Sequence, residues 1–215
     1  MPDAARLGDL PEWNLSDLYA GTDDPALQAD LESATHEAQS FESDFKGKVA
    51  AIDGPGLAEA IARYEALQET MGRIGSYAQL LYAGNMSDPA IGRFQQGIGE
   101  KINAISGRLI FFGLELNRIE DAAMAKLLEH EGVARYRPWL EEVRAFRPHQ
   151  LSDEAEEMLH ELSVVGDGAW SRLFDETVAG LRFTIDGKTM TEAEALDLLS
   201  SPDPAKRKAA AKEIS

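Results

Sequence analysis

The chain has 215 residues, 44% of them apolar and 27% charged, with a net charge of −17 and no cysteine. This composition suits one large or two small globular domains with a substantial core and argues against disorder. The acidic balance repels phosphate backbones and anionic lipid, which argues against nucleic-acid and membrane partners, and the lack of cysteine excludes disulfides and thiolate metal sites.

The opening segment, MPDAARLGDLPEW, lacks the charged-then-apolar pattern of a signal peptide, and no apolar run approaches a membrane span, so a cytoplasmic protein is expected. Downstream, apolar residues recur at three- and four-residue steps. Leu27, Leu31, Ala34, Ala38, Phe41 and Phe45 form a first stripe after Asp-Asp-Pro. Leu57, Ile61, Tyr64, Leu67, Met71, Ile74, Ala78 and Leu81 form a second. Ile91, Phe94, Ile98, Ile102, Ile105, Leu109, Phe112 and Leu116 form a third, opened by Ser-Asp-Pro. Three long amphipathic helices joined by short turns are predicted, and neighbours so connected run antiparallel.

In the third helix, Gly92, Gly99, Ser106 and Gly113 repeat at intervals of seven. A glycine inside a helix costs about 1 kcal/mol relative to alanine. Two explanations stand side by side: a neighbouring helix packed closely on the small residues, or a bend near Gly97–Gly99.

After Leu116 the predicted helices shorten, with a soft boundary near Asn117–Glu120. One helix stops at Gly132, one runs from Pro138 to before Pro148, one opens at Ser152 with acidic residues in its first turn, and Gly168–Gly180 carries another. The segment LRFTIDGKTM alternates around Asp-Gly and predicts a β-hairpin. Thr191 and Glu194 form a capping box. Asp203 and Pro204 open a last helix that no Gly, Asn or Pro closes before Ser215, so continuation into further chain is expected, leaving Leu196, Leu199 and Ile214 short of partners.

Three His-Glu dipeptides raise the question of zinc hydrolysis, which on a helix uses His-Glu-x-x-His. His36-Glu37, His130-Glu131 and His160-Glu161 place Ser40, Ala134 and Val164 where the second imidazole is required. His149, beside a helix start, is expected to pack or hydrogen-bond locally. Glu157 and His160 supply a single Glu-x-x-His pair where a di-iron bundle needs two. Gly97-x-Gly99 lacks a third glycine and sits within a helix, so it is no dinucleotide fingerprint, and no P-loop or serine nucleophile elbow occurs. Glu141-Glu142 and Glu156-Glu157 point to different helix faces and are expected to be solvated charge. No catalytic, cofactor-binding or metal-ligating residue is therefore assigned within the chain.

Several stretches resemble oligoendopeptidase F-type proteins of the M3 family of zinc metallopeptidases. LPEWNLSDLY resembles the family's Trp-x-Leu-x-x-Leu-Tyr opening, and GRIGSYAQLLYAGNMSDP its Tyr-containing helix followed by an Asp-Pro turn. YRPWLEEVRAFRPHQLSDEAEEML is similar to its Tyr…Leu…Arg…His-x-Leu-Ser…Glu pattern, and WSRLFDE followed by LRFTIDGKTMTEAEALDLLSSPDPAKRKAAA continues in the family's order. The resemblance implies a mainly α fold: an antiparallel long-helix bundle (1–119), a short-helix segment (120–190) with a hairpin near 181–190, and the start (191–215) of a helical region leading into a catalytic domain. It further implies the N-terminal lobe of a two-lobed peptidase that cuts oligopeptides in a deep channel. Zinc would be held by His-Glu-x-x-His and a later glutamate, none of which this sequence matches. The lobe would wall the channel, and size selection would be steric. A non-enzymatic acidic helical-bundle adaptor or scaffold is the competing reading. A His-Glu-x-x-His downstream of Ser215 in the reading frame would decide for the first, and a stop codon there for the second.

Overall fold

The computed structural model describes residues 13–215, so Leu10–Glu12 of the opening motif lie outside the described residues. The architecture is mainly α. Helix α1 spans Pro25–Phe45, α2 Gly54–Gly84, α3 Pro89–Gly107 and α4 Ile110–Arg118. Shorter helices follow: α5 Asp121–Leu127, α6 Glu131–Ala134, α7 Arg137–Ala145, α8 Asp153–Ser163 and α9 Asp167–Gly180. Strands β1 (Phe183–Ile185) and β2 (Lys188–Met190) precede α10 (Glu192–Asp197) and α11 (Pro204–Ile214).

Four helices begin with one device. Asp24, Asp53, Asp88 and Asp203 each accept a backbone N–H from the first turn, from Ala26, Gly56, Ala90 and Ala205 respectively. A proline at the first or second helical position follows each cap, where its missing N–H has no helical acceptor to lose. The β-hairpin is equally local. Asp186 and Gly187 both have positive φ (51° and 74°), as a two-residue type I′ turn requires, and pair Ile185 with Lys188 and Phe183 with Met190.

The first three helices run antiparallel, as cross-helix bonds show. Arg63 of α2 reaches Glu37 and Asp44 near the end of α1, whereas Arg73, further along α2, reaches Asp30 near its start. Gln79 of α2 lies beside Gln95 of α3, and Gly75 lies beside Ile102. The predicted stripes of α1 and α2 are buried, including Leu27, Leu31, Phe41, Leu57, Ile61 and Ile74. Phe112 of α4 is fully buried within an aromatic cluster drawn from four helices, with ring centroids 5.1 Å from Phe41, 5.2 Å from Tyr64 and 6.4 Å from Trp139.

The structure departs from the sequence reading in four places. The third stripe is two helices. The backbone tightens at Arg108 and Leu109, whose N–H groups bond back to Ile105 and Ser106, and the Ser106 hydroxyl also bonds back to the Ile102 carbonyl. Such a tightened turn reorients Phe111 and Phe112 into the aromatic cluster. The small residues do not form a helix seam either. A Cβ on Gly99 or Gly113 would meet nothing within 4 Å, Gly99 is exposed, and only Gly92 has a neighbour in Tyr82 and Glu176. Close approach occurs elsewhere: a Cβ on Gly54 would lie 2.7 Å from the Cβ of His130, and one on Gly132 would lie 2.9 Å from the Cβ of Ala58. Gly132 accordingly sits inside α6, and the preceding helix stops earlier, at Leu127. Finally, Ile214 has partners, because α11 folds back over the hairpin in a small cluster around Ile185, Ala195 and Ala210, while Leu196 and Leu199 remain exposed.

The main core continues through Asn117–Glu120 into Met124, Val133 and Leu140. Among the described residues no helix is long and apolar enough to cross a membrane.

Candidate functional site

The three His-Glu dipeptides end in three different structural roles. His36 is exposed, while Glu37 and Ser40 both accept from the Arg63 guanidinium, at 2.7 and 3.2 Å. His130 lies at the close approach of α2 and α6 described above, over the glycines at 54 and 132. His160 is half-buried where α8 crosses α3. Its Nε2 lies 3.0 Å from the Asn103 carbonyl and 3.2 Å from the Ser106 hydroxyl.

That last geometry bears on catalysis. A carbonyl only accepts, so Nε2 must carry the proton. Ser106 in turn donates to the Ile102 carbonyl at 2.8 Å. His160 therefore has no lone pair directed at Ser106, and the pair is a packing contact, not a nucleophile and base. Ser163 completes it by donating to the His160 carbonyl and to Asn103 Oδ1.

His149 is exposed at the mouth of a cavity behind α4. Glu141 and Glu142 are solvated as expected, but Glu156 is not: its Oε1 accepts the Leu151 N–H at 2.9 Å, which closes the turn that starts α8. Among the described residues no three His, Asp or Glu side chains converge as metal ligands. The donors present among the described residues do not fit a zinc centre.

Gly99 and Ser106 of α3 instead line a groove of about 450 Å³ between α3 and the α8–α9 pair, floored by Tyr82 and flanked by Gln79, Gln95, Asn103 and Arg172. Without a side chain at Gly99, α3 leaves this space open. Tyr82 is buried and its hydroxyl has no hydrogen-bond partner. Burial pushes its phenol pKa up, and the carboxylates of Glu176 and Asp175 push it further, against Arg172. The walls combine the amides of Gln79, Gln95, Gln96 and Asn103 with the charged side chains of Glu100, Asp167, Arg172 and Asp175.

Beside the groove, α8 and α9 present a large apolar face. Met158, Leu159, Leu162, Val165, Leu173 and Phe174 are all about half or more exposed, as is Trp170 at 71%. Neither helix buries a single residue fully. Patches of this kind exceed what isolated surface leucines produce and mark surfaces that pack against something else. The sequence already placed these residues on helices, but nothing in their periodicity told exposed from covered.

Comparison with known proteins now places this arrangement. The family described as Oligopeptidase F matches residues 115–183, which run from α4 through the apolar pair of helices to β1. The fold is that of the crystal structure of oligoendopeptidase-F from Enterococcus faecium, with a TM-score of 0.78 over 88% of this chain and 37% of that one, at 20% identity. In sequence, Oligopeptidase PepF of Bacillus subtilis (strain 168) is 29% identical over 171 residues, 77% of this chain. The chain is thus similar in sequence to oligopeptidase F-type proteins over these residues and shares the fold of the Enterococcus faecium structure. It spans 24% of the length of the Bacillus relative.

Proposed function

We propose that this chain is the N-terminal lobe of a zinc metalloendopeptidase that hydrolyses short peptides in an enclosed cytoplasmic channel. Zinc would be held by a His-Glu-x-x-His set and a further glutamate outside these 215 residues. The observation that carries the reading is the match to Oligopeptidase PepF, 29% identical over 171 residues, of whose length this chain covers 24%. The remaining three-quarters of such a protein has ample room for the catalytic residues that this chain does not match.

The lobe's role in this reading is steric. Packed helices wall the channel, exclude folded proteins and admit extended oligopeptides. The exposed face of α8 and α9 supports the same reading, since an apolar surface on a −17 chain is stabilised when a further part of the polypeptide covers it. Peptides and that further part are the proposed partners, with no role for nucleic acid or membrane. The 215-residue chain by itself is inactive.

The test is a longer polypeptide from the same reading frame, assayed on a quenched fluorescent oligopeptide. Hydrolysis that a chelator abolishes and zinc restores, with none from residues 1–215 alone, is expected. A frame that stops at Ser215, or a longer chain without peptidase activity, would overturn the proposal in favour of the acidic helical adaptor.

A further inference from the structure

The apolar face of α8 and α9 has a definite pattern and a definite border. Met158, Leu159 and Leu162 recur at helical spacing on α8, and Trp170, Leu173 and Phe174 recur on α9, each between 49% and 71% exposed. With Val165 at the corner, these side chains offer an area on the scale of the ~800 Å² that one partner contributes to a standard interface.

The backbone decides what kind of element can lie there. Both segments are helical, so their N–H and C=O groups are bonded along the helix axis and this face offers no strand edge. A partner must be held through side chains. A helix seated along the pair by its i, i+3, i+4 and i+7 positions is the arrangement that fits.

Charge specifies the border of that helix. Residues 151–181 carry eight carboxylates and one arginine. The arginine, Arg172, is half-buried, lines the α3 groove and lies 4.0 Å from Glu176. Asp153 and Glu157 are met by Arg118 and Lys46. Glu154 and Glu161, which flank Met158 at i−4 and i+3, are exposed and make no ion pair among the described residues, and neither does Asp167 at the start of α9. An apolar face with an acidic border repels a second copy paired on the same face, and it repels anionic lipid. It attracts a stripe flanked by cations.

We propose that the α8–α9 face docks an amphipathic helix of the same polypeptide, outside residues 1–215, whose apolar stripe is bordered by lysine or arginine. The proposal rests on the peptidase-lobe reading, which supplies the further polypeptide: this chain covers 24% of the length of Oligopeptidase PepF. The apolar side chains of the docked helix cover Leu162, Trp170 and Phe174, and its cations sit against Glu154, Glu161 and Asp167.

Calorimetric titration of the 215-residue chain with synthetic helical peptides tests the chemistry. A leucine–lysine amphipathic peptide should bind, and its leucine–glutamate counterpart should bind about tenfold more weakly or not at all. A scrambled leucine–lysine peptide keeps every charge and loses the stripe, so it reports general attraction to a −17 chain, and it should also bind about tenfold more weakly. Trp170→Ser with Phe174→Ser should cost about tenfold, and Glu154→Gln with Glu161→Gln about threefold with a shallower salt dependence. Equal binding of the scrambled or the glutamate peptide would overturn the basic helix as occupant. So would a stable dimer of the chain that excludes the peptide, or co-flotation with phosphatidylcholine vesicles through Trp170 and Phe174. The longer polypeptide from the same frame tests the source, with chelator present during titration to prevent cleavage. Its own helix occupies the face, so binding that depends on Trp170 and Phe174 should be lost. Retention of that binding by a polypeptide with peptidase activity would overturn the same-chain source and leave the peptidase reading intact. An inactive longer polypeptide that has lost the binding would do the reverse.

Discussion

The same substitution, glycine to alanine, should have opposite effects at two helical positions of this protein. At Gly99 of α3 an added Cβ meets nothing within 4 Å, so alanine brings only its helical preference and a less flexible unfolded chain. Stabilisation of about 0.5–1 kcal/mol follows. At Gly132 of α6 an added Cβ would lie 2.9 Å from the Cβ of Ala58, 3.2 Å from Cε1 of His130 and 3.3 Å from its Nδ1. Ala58 Cβ is bonded directly to the α2 backbone and cannot swing aside, so α2 and α6 must separate. Forcing one extra carbon into a packed contact costs about 1–3 kcal/mol. The helix preference offsets at most about 1 kcal/mol of that. A net loss of up to about 2.5 kcal/mol remains, on the same two principles. Urea unfolding followed by far-ultraviolet circular dichroism measures both variants against the parent. If Gly132→Ala stabilised the chain, or Gly99→Ala cost as much as Gly132→Ala, the assignment of close approach to α2–α6 instead of α3 would be wrong.

Two further predictions concern charge and surface. The hydrogen bond from Arg63 holds the Asp44 carboxyl below the ordinary aspartate range, against a smaller opposing effect of burial. A carboxyl lowered on folding stabilises above its unfolded pKa, and that contribution disappears as pH falls through the folded value. The difference in Tm between the parent and Arg63→Met, which keeps a side chain on Phe41 and Phe45, should therefore be largest near neutrality and close in acid. A gap that is constant with pH would assign the Arg63 effect to packing alone. On the apolar face, Trp170→Ser with Phe174→Ser should lower anilinonaphthalene sulfonate fluorescence and any self-association seen by sedimentation, with little change in Tm, because both rings are about two-thirds exposed or more. A large fall in Tm would mean that those rings are covered within the chain.

The candidate site was only partly legible in the sequence. The failure of each His-Glu dipeptide to continue into a second histidine follows from spacing along one helix. Which carboxylates and imidazoles then found structural partners does not. Glu37 is taken up by an arginine 26 residues away and His160 by a carbonyl 57 residues away. Glu156 looked like surface charge and instead bonds five residues back, within its own helix start.

By itself the sequence determined the features whose physics is completed within about four residues of chain. The Asp–Pro starts of α1, α3 and α11 are of this kind, and so are the Asp186–Gly187 turn, the Thr191–Glu194 capping box and the apolar stripes of α1 and α2. Each needs only a side chain to reach its own backbone, or side chains to share one helix face. Tertiary structure alone decided the rest. It broke the third stripe at Arg108–Leu109 to deliver Phe112 among rings from α1, α2 and α7. It carried one core through Asn117–Glu120. It also assigned the glycines, leaving Gly99 and Gly113 facing open space while Gly54 and Gly132 take the close contacts. A glycine looks the same in every helix. Whether its missing side chain opens a groove or admits a neighbour depends on how near the next backbone comes, and that distance is set by the volume of every other residue packed between them.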